Sequence, residues 1–144
     1  MNLKVAYGPT KKEQEGVWVP VSEVFKSAMF DDNDPAMIKL AGSGAGNLEL
    51  QKAMARGILS NPRKGNNAVP DFSELTARTY RIYAEYVVLD WKGFTDDDGT
   101  EIPYSPEVII ELFKSYPRLF EDIRAFSGDL SNFTKAAFEK AEKN

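Results

Sequence analysis

The residues best equipped for chemistry lie in one stretch, "VVLDWKGFTDDDGTEIPYSPE" at positions 87–107, where an apolar run gives way to Asp96, Asp97, Asp98 and Glu101. Carboxylates gathered around a glycine turn are what a Ca²⁺ loop uses, so the first chemical reading is a cation site. Setting Gly99 at the sixth position of an EF-hand loop puts Phe94 first and Ser105 twelfth, where that loop needs acids, and the pattern fails. A looser Ca²⁺ or Mg²⁺ site stays open on these residues. Paired carboxylates can also serve as general acid and base, as in glycoside hydrolysis. Neighbouring aspartates in a solvated turn, however, lack the apolar surroundings that would separate their pKa values. The simplest reading is an Asp-Gly turn, with flanking residues in a small β-hairpin, fixed onto the helices on either side by Trp91, Phe94, Ile102 and Tyr104.

A second stretch, "AGSGAGN" at 41–47, invites a phosphate-loop reading, because glycine-rich turns before a helix offer backbone N–H groups to anions. The Lys-Ser/Thr pair that should follow is missing, so the stretch reads as a flexible connector ending in a helix cap, Asn47. Histidine and cysteine are both absent, which removes the commonest general base near neutral pH, the commonest metal ligand and all thiolate chemistry. Eighteen basic and 22 acidic residues give a net charge of -4, with no basic run suited to neutralising phosphates, so nucleic acid is not an expected partner. The first residues contain no apolar signal core and no segment reaches the roughly 20 apolar residues that span a bilayer. No membrane association is expected, and the protein is expected in the cytoplasm where it is made.

These loops must be positioned by elements, and the elements can be read from periodicity. A chain of 144 residues, 42% hydrophobic, is expected to form a single domain, residues 1–144. It should bury roughly 70% of its unfolded surface. Val17, Val19 and Val21 alternate with Trp18, which predicts a strand. Pro20 confines it to an edge, "DDNDP" turns the chain, and "AMIKLAG" returns it as a second strand. Residues 1–46 thus read as a hairpin or meander with a Gly-rich connector, and 47–144 as the helical part. There, a helix over 47–60 places Leu50, Met54 and Ile58 on its apolar side. The strongest helix is predicted over about 72–90, with the stripe Leu75, Thr79, Ile82, Tyr86 and Leu89 as the centre of the core. Ser105-Pro106-Glu107 reads as cap, first-turn proline and dipole-facing acid before a short helix. A last helix from Pro117 carries a seam of Leu119, Ile123, Phe126, Leu130, Phe133 and Ala137. The expected fold class is α+β: a small N-terminal antiparallel β element followed by about four packed helices.

The order of motifs in "VVLDWKGFTDDDGTEIPYSPE" and "LFKSYPRLFEDIRAFSGDLSNF" resembles the tail assembly chaperones of long-tailed bacteriophages. The shared features are a Trp-x-Gly segment (Trp91, Gly93), an acid-Gly turn (Asp98, Gly99) and a "PYSPE" helix start (Pro103, Ser105, Pro106). A last helix then carries Asp129 and ends near Asn132 and Phe133. The likeness covers about residues 75–135, and the N-terminal half matches in outline. It implies a non-enzymatic protein without cofactor or metal that acts in the host cell cytoplasm. Such proteins bind the tape measure protein, keep it soluble and help recruit tail tube subunits. A structural tail or connector component, or a carboxylate-loop metal protein, are the alternatives. The final helix has more aromatic side chains than one stripe uses, so Phe120, Phe126, Phe133 and Phe138 are the expected surface for the partner or for self-association.

Overall fold

The computed structural model describes residues 1–7, 11–29, 34–60 and 72–134, with backbone alone at 58–60. Three strands, β1 (Val17–Pro20), β2 (Met37–Leu40) and β3 (Val88–Lys92), form an antiparallel sheet in the order β1-β2-β3. Its register puts Val19 beside Ile38 and Ile38 beside Trp91, a row of apolar side chains on the face turned to the interior. Ile38 and Leu40 on the central strand are both fully enclosed. The opposite face carries Trp18, Lys39 and Asp90 in a row. There, the Lys92 ammonium sits 4.2 Å from the centre of the Trp18 ring. Pro20 ends the edge strand, where its missing N–H costs nothing. Three short helices belong to this part: α1 (Leu3–Tyr7), α2 (Lys11–Glu15) and α3 (Val21–Val24).

The helical part contains α4 (Leu48–Ser60), α5 (Phe72–Tyr86), α6 (Pro106–Ser115) and α7 (Pro117–Ser127), followed by a 3₁₀ turn, Leu130–Phe133. The α+β class holds, with two corrections to the elements. The helix expected over 72–90 stops at Tyr86, and the chain straightens into β3. Val87 is the hinge: its N–H closes the last helical bond to Tyr83 O at 3.1 Å, while its carbonyl already accepts from Ala41 N–H at 2.8 Å. β-branched Val87 and Val88 are poor helix extenders, and the open edge of β2 satisfies their backbone instead. The sheet therefore draws strands from both sides of position 46.

The second correction is the last helix. It ends at Ser127, and the seam expected to run on to Ala137 is broken. Asp129 accepts from Ser131 N–H at 3.0 Å, and Asn132 Nδ2 donates to Phe126 O at 2.9 Å. Short polar side chains offer the backbone this alternative to a helix, and Gly128 lowers the cost of taking it. Leu130 is left 56% exposed. Ala137 lies outside the described residues.

The core face of α5 also differs from the expected stripe. Leu75 is 45% exposed and Ile82 only half-buried, whereas Ala84 and Val87 are fully enclosed. The reason is that α5 is flanked by α4 on one side and α6 on the other, so the enclosed line runs between two half-buried rows. Tyr80 and Tyr83 meet Phe113 and Phe120 in an aromatic cluster with ring centres 4.9–5.4 Å apart. Leu48 and Met54 on α4 likewise face outward, while Leu50 is buried.

Ile38→Ala should cost about 2–5 kcal/mol in urea denaturation, because the central strand cannot collapse around the hole. Leu75→Ala should cost less than about 1 kcal/mol, which places the core face of α5 on Ala84 and Val87.

Candidate functional site

In the acidic loop, Thr95 and Glu101 pair as an antiparallel bridge, closed by an Ile102 N–H bond to Phe94 O at 2.7 Å. Asp96 organises the turn: its Oδ1 accepts from Asp98 N–H at 2.9 Å and Thr100 N–H at 3.0 Å. Gly99 takes φ +80°, a conformation that disfavours a side chain. Asp97, Asp98 and Glu101 are exposed, and Glu101 Oε1 accepts from Gly93 N–H at 3.4 Å. The four acids thus sit around a turn that one of them builds. Among the described residues no group of three or more acids is arranged to hold a metal ion.

The apolar half of the hairpin joins it to the sheet. Trp91, 5% exposed, stacks on Phe94 at 4.9 Å, meets Tyr104 edge-on at 5.1 Å, and donates from Nε1 to Ile102 O at 2.7 Å. Gly93 has φ +81°, and a Cβ there would stand 3.0 Å from Ala36 Cα, so both conformation and space select glycine. The Tyr104 hydroxyl donates to Val88 O at 2.7 Å, covering a carbonyl on the outer edge of β3. Pro103 is exposed beside it, Ser105 Oγ caps α6 by accepting from Val108 N–H at 3.4 Å, and Pro106 opens that helix.

Burial pushes the Tyr104 hydroxyl above its ordinary pKa, with the Asp90 and Glu107 carboxylates adding to the rise. Glu107 is held below its usual range by the Ser105 hydroxyl, which donates to it at 2.8 Å, and by its own backbone N–H. Asp129 is lowered in the same way by the Ser131 hydroxyl, at 2.7 Å, and then by the Ser131 N–H. At neutral pH the tyrosine stays protonated and both acids stay charged, which suits capping rather than proton transfer.

The glycine stretch at 41–47 is a cradle for one of the chain's own acids. Glu13, on α2, is 7% exposed and accepts from Gly46 N–H at 3.2 Å through Oε2. Its backbone carbonyl accepts from Gly42 N–H at 2.7 Å. A Cβ at Gly46 would overlap the Glu13 carboxylate, which accounts for glycine there. Asn47, 1% exposed, caps α4 by accepting from Leu50 N–H at 3.2 Å. Its amide donates to Gly42 O at 2.8 Å and Tyr86 O at 3.1 Å. Where the sequence reads a flexible connector, the loop holds a carboxylate from 33 positions away in the same chain. Nothing local to either stretch signals that pairing.

The expected partner phenylalanines among the described residues are buried or half-buried. Phe120 is 8% and Phe133 1% exposed, and half-buried Phe126 packs edge-on against Phe133 at 5.9 Å. Phe120 joins the cluster of Tyr80, Tyr83 and Phe113, and the break at Gly128 folds the 3₁₀ turn back so that Phe133 meets Phe126. Phe138 lies outside the described residues. Tyr7 and Tyr116 are exposed, as is Phe72, 82% accessible at the start of α5. With Thr76, Ala77 and Tyr80 it lines an open cleft of about 260 Å³, with Lys114 of α6 at its side. Sequence reasoning took Phe72 only as the beginning of a helix.

The described residues thus form an α+β protein in which several acids bond its own backbone and an open cleft lies on its helices. The model of the family described as YdaY prophage protein matches residues 45–144, more than half of the chain, and the chain belongs to that family. It is therefore a phage-derived protein. No curated protein and no solved structure matches it. Among the described residues no helix is long and apolar enough to cross a membrane.

Two outcomes follow for the hairpin. Trp91→Ala should cost about 3–5 kcal/mol and Asp96→Ala about 1 kcal/mol, with Asp97→Asn within about 0.5 kcal/mol of wild type, all from urea curves. The raised pKa of Tyr104 contributes stability that is complete below its unfolded value, near 10.0, and lost as pH rises through the folded value. Tyr104→Phe should therefore flatten the decline of stability above about pH 10, while costing about 0.5–1.5 kcal/mol at pH 7 for the lost hydroxyl bond.

Proposed function

We propose that this prophage-family protein is a tail assembly chaperone that acts without catalysis in the host cytoplasm. It holds the tape measure protein soluble and helps bring tail tube subunits to it. The observation that carries this reading is the cleft between α5 and α6, where Phe72 is 82% exposed outside a core that already has its own aromatic cluster. An aromatic side chain left in water beside a shallow apolar groove is what a helix-in-groove interaction needs. Tape measure proteins are long helical molecules, so the ligand chemistry fits an amphipathic helix laid along α5. The family membership and the order of the motifs over 75–135 support the same assignment. The net charge of -4 is compatible with keeping an aggregation-prone complex in solution.

Co-expression with the tape measure protein of the same prophage tests the proposal. The wild-type chain should co-purify with it, and Phe72→Ser combined with Ala77→Glu should lose the complex while keeping its melting temperature. Retention of the complex by that double variant would place the surface elsewhere. Finding the chain in purified particles would favour a structural tail or connector component instead.

A further inference from the structure

Asp98–Gly99 is the one place in the sequence where an aspartate or asparagine precedes a glycine. The backbone nitrogen of the following residue can attack an aspartate's side-chain carboxyl, and glycine, having no Cβ, obstructs that approach least. The new N–C bond closes a five-membered succinimide ring, while the carboxyl hydroxyl and the amide proton leave together as water. Water then reopens the ring. Addition at the side-chain carbonyl restores aspartate, and addition at the main-chain carbonyl gives isoaspartate, whose chain runs through Cβ and is one carbon longer. Only water leaves and enters, and nothing is oxidised or reduced.

The hairpin leaves this pair open to solvent but ties down the nitrogen that would attack. Residues 95–101 are exposed, and a Cβ placed on Gly99 would meet nothing within 4 Å, so both the ring and water have room. Against that, Gly99 N–H donates to Asp96 O at 3.0 Å, while Asp98 and Thr100 N–H donate to Asp96 Oδ1 at 2.9 and 3.0 Å. For the ring to close, the nitrogen must leave that carbonyl and the Asp98 carboxyl must swing onto it, so the bonded turn has to open first. All three restraining bonds end on one residue. We propose that Asp98–Gly99 is a site of spontaneous isoaspartate formation, and that Asp96 sets its rate by keeping the turn closed. The extra main-chain carbon lengthens the turn between Thr95 and Glu101, so their bridge and the Ile102–Phe94 bond lose register. The Ile102 carbonyl that accepts from Trp91 Nε1 moves with them, which carries the change from the exposed tip to the core. This chemistry is independent of the partner that the protein binds.

Storage of the full chain for several weeks at physiological temperature and neutral pH, followed by peptide mapping with electron-transfer fragmentation, tests it. Isoaspartate should accumulate at residue 98, and Asp96→Ala should speed its formation about tenfold by releasing the local closure. Asp96→Asn keeps an oxygen acceptor at Oδ1 and should stay within about twofold of wild type. Ser105→Ala removes the cap of α6, lowering stability away from the turn, and should keep the wild-type rate. Absence of isoaspartate at residue 98 from both wild type and Asp96→Ala overturns the site. Equal rates in those two proteins overturn Asp96 as its guard, as does an acceleration by Asp96→Asn or Ser105→Ala that matches Asp96→Ala.

Discussion

The antiparallel pairing of β2 with β3 is the constraint on which the remaining structure depends. It sets Ile38 against Trp91, and Trp91 in turn seats Phe94, Tyr104 and the whole acidic hairpin. It also fixes where α5 must end, since Val87 cannot serve the helix with its carbonyl and the sheet at once. From that end point the direction of α5 follows, and with it the slot into which Phe113 and Phe120 pack. Fully buried Ile38, Val87, Val88 and Ile109 belong to segments far apart in sequence, so the core forms only when this long-range pairing is made.

Around that pairing, acids do the work of terminating and joining backbone. Asp96 builds a turn, Asp129 caps the 3₁₀ turn, and Glu13 fills a loop. Asp122 on α7 accepts from both Ser27 N–H and Ser27 Oγ, at 3.1 and 2.9 Å, tying the segment after α3 to the last helix. Such bonds are individually modest, but they satisfy donors that would otherwise compete with the sheet and helices for partners. In the acidic hairpin it is Asp96 and Glu101 whose carboxylates accept from the chain's own amides.

How much was legible depended on the range of the interaction. Pro20 at an edge, Asn47 and Ser105 as caps, Pro106 in a first turn and the Asp-Gly hairpin all rest on bonds within a few residues, and the sequence displays both partners. The β-hairpin of the first part was readable because alternation survives over four residues. The stripe on α5 is right in part, with Ile82 and Tyr86 packed against the core and Leu75 turned outward, since period and composition locate an apolar surface but do not say which neighbours enclose it. The same limit hid Phe72, whose character is plain in sequence and whose exposure is not.

What the sequence alone determined was the α+β class, the positions of most turns and caps, and the absence of histidine and cysteine chemistry. Those properties follow from residue type, local backbone preference and short-range hydrogen bonding. The tertiary structure decided the rest. It turned the end of a helix into the third strand because β2 offered hydrogen bonds there. It broke the last helix at Gly128, where Asp129 and Asn132 could bond the backbone, and so carried Phe133 into the core. It also put Glu13 into the glycine loop. Each of these outcomes is a choice between two locally acceptable conformations, and a contact with a distant segment supplies the free energy that selects one.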